Sequence, residues 1–139
     1  MANITEISED RLKLNEETEA LLAFNDKMEL FFPFFHSRDE ALNIELDNFA
    51  DKLDIFTKPL KNFFKERLSI DTSIKKINKK PSTTFRDIAS LTQRIGILIQ
   101  RGKILNEKAE ILFDESETIK ERYLAKVKNR KINYWNSTN

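Results

Sequence analysis

Few side chains in this 139-residue chain could carry chemistry, and their spacing does not favour it. His36 is the single histidine and cysteine is absent. A zinc site draws on Cys, His and carboxylate ligands, so here it would need three carboxylates beside His36, and the sequence shows no such cluster. Carboxylate pairs such as Glu107 and Glu110 are expected by chance in a chain with 23 acidic residues. The di-iron pattern of helical bundles requires Glu-x-x-His motifs, and none is present. Gly96 and Gly102, the two glycines, both fall within a helical pattern, so no glycine-rich loop is available to cradle phosphate. Without cysteine there are no disulfides and no thiolate chemistry. The expectation is a non-enzyme with no catalytic residue, no cofactor and no metal.

Basic residues offer a second kind of chemistry. Lys75, Lys76, Lys79 and Lys80 cluster before Pro81, and Lys128, Arg130 and Lys131 stand just ahead of Tyr134 and Trp135. These groups suit weak contact with an anionic surface such as a membrane; the alternative is that they are solvated helix ends. Nucleic acid is an unlikely partner, because the aromatics follow the apolar stripe and do not interleave with the lysines. The net charge of +1 conceals strong segregation: residues 1–57 carry −9, 58–80 carry +6, 81–119 carry −1 and 120–139 carry +5.

The elements that would hold these residues are helical. Charged residues make up 34%, with two glycines and three prolines, too few turn formers for a β-rich chain. From Leu42, alternating steps of four and three reach Leu46, Phe49, Leu53, Phe56, Leu60, Phe63, Arg67, Ile70, Ile74 and Ile77. Only Arg67 in that run is polar. This is a sustained a/d repeat, the pattern that keeps one stripe against a neighbouring helix. Run backward, it passes Asp39 and collects Phe35, Phe31, Met28, Phe24 and Leu21. A third stripe runs Leu91, Ile95, Leu98, Gly102, Leu105, Ala109, Leu112, Ser116, Ile119 and Tyr123. In it Gly102, Ala109 and Ser116 recur at seven-residue spacing. A mid-helix glycine costs about 1 kcal/mol against alanine, so Gly102 is expected to serve close packing.

Punctuation sets the boundaries. Ser37 and Glu40 form a capping box, Pro33 ends the preceding helix, and Pro59 is expected to kink the second helix without breaking its phase. Residues 78–83 form the clearest loop, with Thr84 as the next N-cap. These signals predict an all-α, elongated helical bundle: a flexible acidic N-terminus over 1–16, a short first helix over about 17–33, a coiled-coil-like antiparallel hairpin over 38–78 and 84–131, and a frayed tail over 132–139. The hairpin would set the basic C-terminal segment along the acidic first half. In ELFFPFFH (29–36), Phe31 and Phe35 share the core stripe, while Phe32 and Phe34 flank Pro33 off it.

One antiparallel pair cannot cover all the apolar surface. Phe64, Leu68, Ile88, Ile97, Ile99, Ile104, Ile111 and Phe113 lie beside or away from the two stripes. Exposed apolar stripes on long helices are interaction surfaces. The expected role is therefore a helical interaction protein, a small coiled-coil subunit or adaptor of a multiprotein assembly, that binds partner helices or itself. A seam of Phe31, Phe35, Leu42, Leu46, Phe49, Leu53, Phe56, Leu60, Phe63, Leu105 and Leu112 would serve as core or partner contact. The alternatives are a membrane-surface or curvature-binding protein, and a secretion chaperone or toxin-neutralising immunity protein with an acidic half that covers a basic partner. The acidic N-terminus lacks an apolar signal core and no apolar run approaches membrane-spanning length; both predict a soluble cytoplasmic protein, with a place peripheral to a membrane as the alternative.

Overall fold

The computed structural model describes residues 4–31, 39–79 and 85–138, with side chains over 8–31, 39–79 and 85–128. These residues form three α-helices: α1 (Ile4–Phe31), α2 (Glu40–Lys79) and α3 (Phe85–Thr138). At 1.5 Å per residue the 40 and 54 residues of α2 and α3 span about 60 and 80 Å. Among the described residues no helix is long and apolar enough to cross a membrane.

The helices run up, down and up. Asp39, Glu45 and Lys52 of α2 bond to Lys126, Arg122 and Glu115 of α3, so numbers rise on one helix as they fall on the other. Helix α1 runs with α3, placing Glu17 at Asn106 and Lys27 over Phe113. Helix α3 is the central element. Its backbone closely approaches those of both α1 and α2, which rarely approach each other. Phenylalanines fill the wider gap between α1 and α2. Phe24 meets Phe56 edge-on with ring centres 5.5 Å apart, and Phe31 meets Phe49 at 5.4 Å. Such edge-to-face pairs suit the positive rim and negative face of the rings.

Every described residue of the two predicted hairpin stripes is buried or half-buried, including Gly102 and Ser116. The Ser116 hydroxyl is satisfied by donating to the Phe113 carbonyl at 2.6 Å. Pro59 lies within α2, which runs on to Lys79.

Three boundaries differ from expectation. The expected flexible segment 1–16 is helical from Ile4, and Leu14 is fully buried. The first helix is therefore 28 residues long rather than short. Its stripe repeats at Leu14, Leu21 and Met28, but the intervening stripe position in the first half is Glu17, so the apolar signal there is half strength. The expected frayed tail continues α3 to Thr138. At the start of α2 the cap is Asp39, whose Oδ1 accepts from the Leu42 amide at 3.1 Å while its carbonyl accepts from Asn43 at 3.0 Å. Ser37, Thr84, Phe35 and the Phe32–Phe34 pair lie outside the described residues.

The two irregularities in the hairpin stripes are matched by α1. A Cβ added to Gly102 would sit 3.0 Å from the Glu17 Cβ and 3.0 Å from the Phe63 ring, so glycine lets α1 press directly onto α3. Arg67, the polar member of the α2 stripe, donates to Asp71 at 2.7 Å and to the Asn15 side chain of α1. Gly102 and Arg67 are thus both contacts with the third helix.

Candidate interaction surface

Of the eleven seam residues, ten are described. Phe31, Leu42, Phe49, Phe56, Leu60, Phe63, Leu105 and Leu112 are buried, and Leu46 and Leu53 are half-buried against them. They form the internal core.

The basic residues do not form one patch. Lys75, Lys76 and Lys79 are exposed at the C-terminal end of α2, and Lys128 is exposed near the level of Asp39 at the opposite end of the bundle. The 37 residues between Asp39 and Lys76 separate these groups by about 55 Å along the axis. Lys80 lies outside the described residues; Arg130 and Lys131 are described only as helical backbone.

The off-stripe apolar residues sort by flank. One side of α3 faces α1: Asn106 bonds to the Glu17 carbonyl, Lys27 sits 4.6 Å from the centre of the Phe113 ring, and Ile99 lies one heptad earlier on the same flank. Ile99 is buried and Phe113 half-buried, so α1 covers this side. Two open grooves of about 600 Å³ each run along it and share Lys27 and Phe113. The far half is apolar, with Met28, Phe31 and Leu124 among its lining. The near half carries Glu16, Glu107 and Glu110 over Ala20, Ala23 and Ala109.

The other side of α3 faces α2 and is joined by polar rungs. Glu45 bonds to Arg122; Lys52 meets Glu115 at 2.8 Å; Glu66 accepts from Arg94 at 3.0 Å, and Arg94 also donates to Ser69 and Ser73. At the upper end Lys126 donates to Asp39 at 2.6 Å. That bond, with the Leu42 amide, holds the Asp39 carboxyl below its ordinary 3.8.

Outside this flank runs a stripe that stays exposed among the described residues. Ile97, Ile104 and Ile111 are 48%, 52% and 67% exposed at seven-residue spacing. Across the Lys52–Glu115 rung, Ile55 is 76% exposed. Ile55 is three residues past Lys52 and Ile111 four before Glu115; because the helices are antiparallel, both isoleucines fall at one level. Four isoleucines therefore line one face of the α2–α3 hairpin. The sequence reading found three of them as uncovered residues but missed Ile55, whose position follows only once the rungs fix the register of the hairpin. No protein-family model matches the chain, and neither the curated proteins nor the solved structures contain a match.

Proposed function

We propose that this chain is a non-enzymatic helical interaction protein, a small subunit or adaptor that receives a partner helix on the outer α2–α3 face. The observation that supports this reading is the Ile97–Ile104–Ile111 stripe. Seven residues is the repeat at which a second helix keeps its own apolar stripe in register with the first. Surface isoleucines scattered singly need no explanation, but three on consecutive heptads of one helix, with Ile55 beside them, mark a single face at two-turn intervals. It extends about 21 Å over the 14 residues from 97 to 111, roughly four turns of a partner helix. Burial of large aliphatic side chains contributes about 1.5–3 kcal/mol each when complete, enough to drive association after its entropic cost is met.

The test places a photo-crosslinking residue at position 104 or 111 in the native host, with position 93 on the adjoining exposed face as the comparison. Adducts specific to 104 and 111 are the expected result. Equal adduct patterns at 93, or none at either stripe position, would remove the reading.

A further inference from the structure

The charges on the α2-facing edge of the stripe bear on the partner's chemistry; the opposite edge carries the exposed carboxylates Glu107 and Asp114, three residues past Ile104 and Ile111. The rungs between α2 and α3 are closed at Lys52–Glu115 and at Glu66–Arg94, and between these two they stop. Pro59 holds the α2 position one heptad after Lys52 and one before Glu66, and it cannot neutralise a cation as a carboxylate would. Helix α3 offers Arg101 and Lys108, both exposed, one turn before and one turn after Ile104. On the same α3 flank, Arg94, Glu115 and Arg122 are each held by an opposite charge on α2. Arg101 and Lys108 have no such partner among the described residues, and they border the stretch where the isoleucines are uncovered.

Resting on the reading of the stripe as a helix-docking face, we infer that its occupant is an amphipathic helix of another protein with carboxylates seven residues apart along the edge of its apolar stripe. The partner's apolar side chains would lie between Ile104, Ile111 and Ile55. Its two carboxylates would supply the acids that α2 lacks opposite Arg101 and Lys108. Charge at the edge of an interface governs partner choice and association rate more than total affinity. A second copy of the chain fits poorly. Two α3 stripes in antiparallel register about Ile104 would place Arg101 and Lys108 of one copy beside the same cations of the other, and like charges directly opposed are unfavourable. A membrane surface fits less well than a helix, because the strip is narrow and carries two cations where polybasic membrane contacts use four to eight.

The test uses the full chain and two synthetic helices of about 20 residues, with isoleucines every seventh residue flanked by glutamates in one and by lysines in the other. Binding is read by fluorescence anisotropy at low salt. The glutamate helix is expected to bind about tenfold or more tightly than the lysine helix, and R101E/K108E is expected to reverse the order. Equal binding of both helices would overturn the inference while leaving the docking stripe in place. Failure of both helices to bind would defeat the stripe itself. Two further arms cover the rival occupants. A concentration-dependent dimer by light scattering that Ile104→Asp disperses overturns the inference in favour of self-association. Sedimentation with phosphatidylglycerol vesicles that is lost in R101E/K108E overturns it in favour of a lipid surface.

Discussion

The two flanks of α3 are joined to their neighbours by different means. Toward α1 the joint depends on shape: Gly102 admits the Glu17 Cβ, and Ala109 and Ser116 repeat the small position above it. Toward α2 the joint at its outer edge depends on charge, through Glu45–Arg122, Lys52–Glu115 and Glu66–Arg94. A joint of shape fixes register within tenths of an ångström and tolerates little. A joint of exposed charge tolerates gaps, because each rung contributes only about 0–1 kcal/mol. This difference explains why the bundle can leave a rung open at Pro59 and expose a strip of isoleucine there without losing its fold.

The largest test removes what both joints rest on. Phe63 is 2% exposed and lies against Gly102. Phe63→Ala should cost about 3–5 kcal/mol, read as a lowered urea midpoint. Ile104→Ala on the open strip should change stability by no more than about 0.5 kcal/mol. Comparable losses at the two sites would mean that the strip is covered within the chain.

A sharper test compares the two glycines. Both should gain about 1 kcal/mol of helix propensity on replacement by alanine. At Gly96 nothing lies within 4 Å of the new Cβ, so Gly96→Ala should raise stability by about that amount. At Gly102 the new methyl meets the Glu17 Cβ, which cannot move without α1, and the closely packed Phe63 ring. Overpacking of this kind costs about 1–3 kcal/mol, so Gly102→Ala should be destabilising overall. Stabilisation by both substitutions, in thermal or urea unfolding, would show that α1 does not press on α3 there.

These joints also show what was legible in the sequence. The stripes of α2 and α3 were read correctly because their apolar residues keep phase through Arg67, Pro59 and Gly102. Gly102 was rightly attributed to close packing, although the helix it admits was not identified. The N-terminal half of α1 was missed for a physical reason. Glu17 takes a core position there, satisfied by Asn106 and by the space above Gly102, and such a match exists only in three dimensions. The Asn15–Arg67 bond is likewise invisible to periodicity, since a polar residue on a stripe counts as an interruption until its partner is known. The open strip was half legible. The isoleucines were counted as surplus, but which of them α1 covers, and the gap between Arg101 and Lys108 and the α2 residues opposite, depended on the register of all three helices.

A smaller effect is expected on the charged flank. In a double-mutant cycle, Glu45→Gln with Arg122→Gln should give a coupling below about 1 kcal/mol that shrinks as salt is added. A coupling of several kcal/mol, insensitive to salt, would show that the rungs are not the tolerant joint described here. The open interval at Pro59 would then be a serious defect and not a usable surface.

The smallest effect belongs to Asp39, which joins the α2 cap to the upper rung. Its carboxyl titrates below the ordinary 3.8 because Lys126 and the Leu42 amide both bond to the charged form. A carboxyl depressed in the folded state contributes stability that is present above its unfolded pKa and is lost as pH falls through the folded value. Asp39→Asn keeps a capping oxygen but cannot titrate. The variant should therefore be slightly less stable than the parent at neutral pH, and the two should converge below about pH 4. Parallel curves through the acid range would mean that Lys126 does not engage Asp39, and that the charged joint ends one rung lower, at Glu45 and Arg122.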